Sequence, residues 1–96
     1  MNNNNTIIFA LPGNESLANA IAKKHQVPIG EFTIRNFPDG ETYLRILSDV
    51  KNKKVVLVCS LDRPDAKLLP LYFLSKTAIE LGAKCTCLIA PYLAYM

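Results

Sequence analysis

The chain has 96 residues, half of them hydrophobic and 20% charged, and its formal net charge is +3. This length predicts one domain, and the mild charge, carried by scattered lysines and arginines, argues against a nucleic-acid-binding surface. No apolar stretch approaches the roughly 18 residues of a membrane-spanning helix, and the N-terminus lacks the basic and apolar segments of a secretory signal.

Three cysteines, Cys59, Cys85 and Cys87, sit in apolar, strand-like runs. An odd number of thiols in such runs is typical of reduced core residues, so we expect a cytoplasmic protein with its thiols in the core. Cys85 and Cys87 would share one face of a strand, but no third or fourth ligand lies nearby in the sequence. We therefore predict no metal site within this chain.

The first predicted element is a strand over Thr6–Leu11, a continuous apolar run suited to a sheet that is covered on both faces. The asparagine-rich residues 1–5 before it are expected to be disordered. Pro12–Asn14 then interrupts the run and separates the strand from the element that follows.

A helix is predicted next, because apolar residues recur at helical spacing between positions 17 and 22. Asn14 or Ser16 is expected to cap its N-terminus, and the helix is expected to end at Lys24 or His25. His25 is the only histidine, and at this position it is expected to offset the helix dipole at the surface rather than to act in catalysis.

A β-hairpin is predicted around Pro38-Asp39-Gly40, because proline, aspartate and glycine each favour a turn and strand-like alternation flanks them on both sides. On the first strand the alternation places Thr33, Arg35 and Phe37 on one face. On the second strand it places Tyr43, Arg45 and Leu47 together.

The tip of this hairpin carries an aromatic ring, Phe37, and two carboxylates, Asp39 and Glu41. Such a group can stack on a flat ring and accept hydrogen bonds from an amine or a hydroxyl. Turns of this kind are also common without a function, and acidic turn residues are usually only solvated. The residues of the tip alone leave both interpretations open.

The second half is predicted to hold a strand over Val55–Cys59, a helix over Lys67–Leu81 closed by Gly82, and a strand over Cys85–Ala90. Pro70 is expected in the first turn of the helix, where proline is tolerated. The first half of the helix is apolar on nearly all sides, which predicts burial against a partner as well as against the sheet.

The order strand, helix, hairpin, strand, helix, strand predicts a parallel α/β sheet with right-handed connections. Ligands of such sheets bind at the carboxyl ends of the strands, where three loops are expected: Pro12–Glu15, Ser60–Asp65 and Pro91–Met96. The chain stops within the third loop, so we expect a fragment of a longer protein. No glycine-rich phosphate loop is present.

Three landmarks resemble ribose-phosphate pyrophosphokinase (phosphoribosyl pyrophosphate synthetase), at its N-terminal half. Gly13-Asn14 followed by Leu17-Ala18 is similar to the exit of the family's first strand, and Phe37–Glu41 is similar to its Phe-Ser-Asp-Gly-Glu signature. Pro91–Tyr95 resembles the segment that leads into its Arg-Gln-Asp motif. The resemblance covers nearly all of residues 6–96.

The resemblance implies an α/β fold of phosphoribosyltransferase or Rossmann-like type, a three-layer parallel sheet with a β-hairpin insertion. It implies transfer of the β,γ-diphosphoryl group of ATP to ribose 5-phosphate, with Mg²⁺ held by residues outside this chain. Phe37, Asp39 and Glu41 would then contact ATP. In the family this loop completes the ATP site of a neighbouring subunit, which implies a homo-oligomer.

The chain also departs from the family. Pro38 replaces the usual serine, and the Arg-Gln-Asp motif, the ribose 5-phosphate loop and the cationic catalytic loop are absent. Phosphoryl transfer depends on cations that neutralise developing charge, so the isolated chain is expected to be inactive. Residues 6–96 are expected to be an N-terminal domain truncated at its C-terminal end.

Two other interpretations remain. A non-catalytic regulatory subunit of the same family would keep the fold and the oligomer surface without the chemistry. A generic doubly wound domain of flavodoxin type would leave the aromatic and acidic hairpin unexplained.

Overall fold

A computed structural model describes residues 5–36, 42–60 and 64–90. Within these ranges the chain forms five strands and two helices. In chain order they are β1 (Thr6–Ala10), α1 (Glu15–His25), β2 (Phe32–Asn36), β3 (Thr42–Ile46), β4 (Lys54–Val58), α2 (Pro64–Glu80) and β5 (Cys85–Ile89).

The strands form two sheets. Strands β1, β4 and β5 lie in that order in a parallel sheet, with Phe9 opposite Leu57 and Leu57 opposite Leu88. Strands β2 and β3 form an antiparallel hairpin. The parallel α/β sheet and the hairpin insertion predicted from the sequence are therefore confirmed.

The connection from α1 to the hairpin runs along the outer edge of β1. The backbone N–H of Ile8 donates to the Pro28 carbonyl at 3.0 Å, and the N–H of Gly30 donates to the Ile8 carbonyl at 2.7 Å. A Cβ added at Gly30 would lie only 2.5 Å from the ring of Phe9. Glycine is thus required here by the close approach of the backbone to the core.

One face of the parallel sheet packs against α2 and the hairpin. Phe9 and Leu57 lie on this face and are buried together with Leu74 and Ala78 of α2 and Ile46 of β3. The alternation of strand side chains puts every second residue of β1 and β4 into this cluster.

The opposite face packs against α1. Ile8 and Val58 are buried against Ala18 and Ala22, and Val27 closes the cluster beyond the end of the helix. Helices on opposite faces of one sheet make the three layers that the resemblance implied. Within the described ranges, no helix is long and apolar enough to cross a membrane.

The end of α2 confirms the role predicted for Gly82. Its φ is +97°, its N–H donates to the Ile79 carbonyl, and the N–H of Ala83 donates to the Ala78 carbonyl, both at 3.0 Å. This is a Schellman arrangement, in which the left-handed residue after the helix is usually glycine.

The start of α2 differs from the prediction. The helix begins at Pro64, three residues before the predicted Lys67, and Pro70 therefore lies inside the helix rather than in its first turn. A proline at the first helical position loses no hydrogen bond, so Pro64 was the better start signal. At Pro70 the missing N–H leaves the Ala66 carbonyl without its usual intrahelical donor.

The prediction of three core thiols is correct for Cys59 alone. Cys59 is buried, Cys85 is half-buried and Cys87 is exposed. The last two lie on β5, which is at the edge of the sheet formed by the described strands. An apolar run predicts a strand, but the covering of its faces depends on the neighbouring elements.

Candidate functional site

The three site residues predicted from the sequence, Phe37, Asp39 and Glu41, lie outside the described residues. The residues on either side of this segment, Asn36 and Thr42, are described. Asn36 ends β2 and pairs with Thr42, which begins β3. The five residues between them therefore connect two strands that are held together by an antiparallel ladder.

The inner face of the hairpin is fixed against the core. The ring of Phe32 meets the ring of Phe9 edge-on, with 5.9 Å between their centroids and 69° between their planes. Leu44 packs against the same core cluster, and Ile46 is buried within it. Because a one-residue shift would move these side chains to solvent, the packing sets the register of the hairpin.

The base of the hairpin is closed by two hydrogen bonds. The N–H of Leu47 donates to the Glu31 carbonyl, and the N–H of Glu31 donates to the hydroxyl of Ser48, both at 2.8 Å. The two strands thus project from a closed base toward the connection 37–41.

The outer face of the hairpin is polar and open. Its side chains surround a shallow pocket of about 240 Å³. Sequence reasoning placed these residues on strand faces but assigned them no function, because alternation alone does not show that the two strands contribute to one surface. The lining residues are Thr33, Arg35, Tyr43, Arg45 and Leu47.

A second polar arrangement lies at the carboxyl ends of the parallel strands. The N–H of Leu11 donates to the Val58 carbonyl, and the N–H of Cys59 donates to the Ile89 carbonyl, both at 3.0 Å. These bonds continue the pairing by one residue beyond β1 and β4, so the three strand ends lie side by side as the topology predicted.

Asn14 joins two of these strand ends. Its side chain is buried, its Nδ2 donates to the Leu11 carbonyl at 3.2 Å, and its Oδ1 accepts the N–H of Ser60 at 3.0 Å. Asn14 occupies the N-cap position of α1, but its side chain makes no capping hydrogen bond. Asn14 thus lies where the sequence predicted a cap, but the prediction that its side chain caps the helix is wrong. The amide instead forms hydrogen bonds with backbone groups at the edge of the sheet.

Gly13 allows the turn that brings Asn14 there. Its φ is +90°, a conformation that costs glycine little, and its N–H donates to the carboxylate of Glu15 at 3.0 Å. The Gly-Asn pair therefore has a structural explanation, since one residue supplies the turn and the other supplies the bridge.

The family comparison agrees with this arrangement. The sequence profile described as the N-terminal domain of ribose phosphate pyrophosphokinase matches residues 6–96. The chain belongs to this family. The match includes the hairpin, the connection 37–41 and the Gly-Asn turn, so the resemblance inferred from three short motifs is confirmed.

Related family members come from distant organisms. The chain is 34% identical over 90 residues to a ribose-phosphate pyrophosphokinase of Saccharolobus solfataricus, covering 93% of this chain and 31% of the relative. It is 33% identical over 96 residues to one of Mycoplasma pneumoniae, covering 99% and 29%. The chain thus spans about a third of the length of the curated relatives it matches.

Solved structures support the fold. The phosphoribosylpyrophosphate synthetase of Mycobacterium smegmatis superimposes with a TM-score of 0.76 at 24% identity, covering 95% of this chain and 31% of that one. A purine phosphoribosyltransferase from Pyrococcus horikoshii gives 0.65 at 19% identity, with coverages of 94% and 64%. Members of the ribose-phosphate pyrophosphokinase family and a phosphoribosyltransferase therefore share this α/β architecture.

Proposed function

We propose that this chain is the N-terminal part of a ribose-phosphate diphosphokinase, which makes phosphoribosyl pyrophosphate from ATP and ribose 5-phosphate for nucleotide biosynthesis. The observation that carries the proposal is the family match over residues 6–96. The relatives named above are ribose-phosphate pyrophosphokinases, and this chain spans only their N-terminal third.

In this proposal the hairpin connection contributes to the ATP site. Phe37 stacks on the adenine ring, and the carboxylates of Asp39 and Glu41 accept hydrogen bonds from its amine or from a ribose hydroxyl. The ladder from Phe32 to Ile46 supports the proposal because a packed scaffold can hold such a loop in place. The loop serves the ATP site of a neighbouring subunit in a homo-oligomer.

Mg²⁺ is the expected partner of the ATP phosphates in this reaction, where it neutralises developing charge. Among the described residues, no group of three or more histidine, cysteine, aspartate or glutamate side chains is placed to hold a metal ion. In this proposal the ion is held by residues outside this chain, as the family resemblance implies, and the chain binds and orients the nucleotide.

The proposal is tested with Phe37→Ala in the longer protein that carries this domain. Base-on-aromatic stacking contributes about 1–3 kcal/mol, so we expect the KM for ATP to rise about tenfold. Asp39→Ala and Glu41→Ala should act in the same direction. The melting temperature of each variant should stay close to that of the unchanged protein, and the isolated chain should give no product.

Phe9→Ala is the matched control, because Phe9 is fully buried and its truncation should cost about 3–5 kcal/mol of stability. A melting loss for Phe37→Ala as large as that of Phe9→Ala, with the KM for ATP unchanged, would refute the stacking role. Absence of turnover in the longer, folded protein would favour the regulatory-subunit alternative.

A further inference from the structure

The face of the parallel sheet under α1 is covered in one part and open in another. Ile8 and Val58 are buried in the cluster that packs against the helix. Toward β5 the cover is lost, because Val56 is half-buried, Cys87 is exposed and Ile89 is 36% exposed. Both faces of a parallel sheet are normally buried. Among the described residues, this part of the sheet therefore lacks a layer.

The open part forms a groove that runs along the strands, and we call it the α1-side groove. Its volume is about 280 Å³, and it is bounded by Ile21 of α1, Val56 of β4 and Cys87 of β5. Lys54 lines it where β4 begins, and Ile89 lines it where β5 ends. The groove thus extends over the length of the strands, which is about 13 Å at the usual rise per residue.

These dimensions fit one helix. The layers that cover parallel sheets are helices, because the connections between parallel strands place them there. A helix rises about 1.5 Å per residue, so about nine residues of it would cover the groove. Neighbouring helices pack about 8–10 Å apart, and a helix beside α1 would therefore contact Ile21 laterally and Cys87 and Ile89 through the sheet face.

The topology indicates which part of a longer chain can supply such a helix. α1 connects β1 to the parallel bridge at Ile29, on the side of β1 away from β4, whereas α2 connects β4 to β5 in the opposite direction. Right-handed connections in opposite directions place their helices on opposite faces, as α1 and α2 show. A connection that adds the next strand beside β5 runs in the direction of α2. Its helix would lie on the face of α2 and would leave the groove open.

We propose that the α1-side groove receives a helix from a later part of the longer protein, beyond the connection that follows β5. The inference rests on the proposed function only in that a longer protein carries this chain. This chain covers 31% of the Saccharolobus solfataricus relative and 64% of the purine phosphoribosyltransferase, so proteins of this architecture have enough chain to return to the sheet. A segment of the same chain also has a high effective concentration at the groove, which favours it over a second copy or a free ligand.

The lining of the groove determines the chemistry of the helix that fits it. Ile21, Val56 and Ile89 are aliphatic, so the helix must present an apolar stripe to them. Lys54 is exposed at one end of the groove, where a carboxylate of the helix would be its complement. An exposed ion pair contributes little affinity. The apolar stripe therefore provides the binding, and the carboxylate fixes which end of the helix lies near Lys54.

The first test compares the alkylation of Cys87 in this chain and in the longer protein. In the longer protein Cys87 should react with iodoacetamide at least about tenfold more slowly, because the helix must leave the groove before the thiol is accessible. The protection should be the same at every protein concentration. Cys59 is the control, since it is buried in this chain and should be protected in both proteins. Equal rates for Cys87, or protection only at high concentration, would overturn the inference.

The second test identifies the covering segment in the longer protein. The photo-crosslinking residue p-benzoylphenylalanine in place of Ile21 should crosslink to a peptide that lies beyond the strand following β5. Mixing ¹⁵N-labelled and unlabelled protein shows whether the crosslink lies within one chain. The same residue in place of Ile79, which is exposed on α2, is the control and should not yield that peptide.

A crosslink from position 21 to the connection directly after β5, a crosslink between two copies, or no crosslinked peptide would each show that the inference is wrong. Neither test depends on turnover. The KM for ATP of Phe37→Ala tests the proposed function separately, so that proposal and this inference can fail independently.

Discussion

At the scale of single residues, Asn14 shows how one side chain organises the carboxyl edge of the sheet. Its amide links the end of β1 to Ser60, which is 46 positions away along the chain. Each hydrogen bond of the Asn14 amide satisfies a backbone group near the strand ends, where the hydrogen bonding between the strands has ended. Asn14 thereby fixes the relative position of two loops at the edge where sheets of this type bind ligands.

We predict that Asn14→Ala destabilises the chain by about 1–3 kcal/mol, because it removes the partly buried hydrogen bond between the N–H of Ser60 and the Asn14 amide. Ser16→Ala, an exposed change two residues away, is the control and should have little effect. Urea unfolding followed by circular dichroism measures both. Equal midpoints for the two variants would contradict the bridging role of Asn14.

The role of Asn14 could not be predicted from the sequence. An asparagine immediately before an amphipathic run is the usual sign of a helix cap, and the same residue at the same position is needed for the bridge that the structure contains. The two roles differ only in where Ser60 lies, which depends on the pairing of β1 with β4. That pairing is a long-range property of the fold.

At the scale of elements, the order and type of all seven could be predicted, because each carries a strong local signal. Continuous β-branched runs gave the parallel strands, and alternation around a Pro-Asp-Gly turn gave the hairpin. The predictions were wrong where two residues gave competing signals for a helix start, and where the exposure of a strand depends on the neighbouring elements. Pro64 and Pro70 both suit a helix start, and the exposure of Cys87 depends on the strand order.

The prediction that α2 packs against a partner concerns the side of the helix away from the core. Leu74 and Ala78 are fully buried against the sheet, whereas Tyr72 is 57% exposed and Ile79 is 48% exposed. The ring of Tyr72 is tilted against the ring of Phe73, with 5.9 Å between their centroids and 52° between their planes. Aromatic residues on a helix face are typical of the buried centre of an interface.

We expect Tyr72→Glu to lower the association state of the chain, because a carboxylate at this position cannot be buried without a partner. Since Tyr72 is largely exposed in one chain, the melting temperature should change little. Lys76→Gln, a change one turn away on the same exposed side, is the control. Sedimentation velocity over a range of concentrations decides the outcome, and identical monomeric behaviour of all three proteins would refute a partner at this surface.

At the scale of the whole molecule, the two faces of the sheet are covered unequally. The hairpin also packs on the face that α2 covers, and the core cluster on this face includes Cys59 and Val50. The face under α1 is covered less completely toward β5, which leaves an apolar groove of about 280 Å³ among the described residues, bounded by Ile21, Val56 and Cys87. The molecule therefore contains a closed core on one side and an open apolar surface on the other.

This asymmetry predicts different reactivities for the thiols, since alkylation requires an accessible thiolate. In the folded chain Cys87, which is exposed, should react fastest with iodoacetamide, and Cys85, which is half-buried, should react more slowly. Cys59 has no exposed surface, so it should react only when the closed core opens, and its rate should report the free energy of that opening. Mass spectrometry of peptides over a labelling time course follows each site separately.

Cys87→Ser is the control and should remove the fast phase while leaving the labelling of Cys59 unchanged. Addition of urea should accelerate labelling at Cys59 far more than at Cys87, because only the closed core must unfold to expose its thiol. Labelling of Cys59 at the rate of Cys87 in native buffer would show that the core under α2 is not closed. Protection of Cys87 that grows with protein concentration would instead show that a second copy covers the groove, because the isolated chain leaves that surface open.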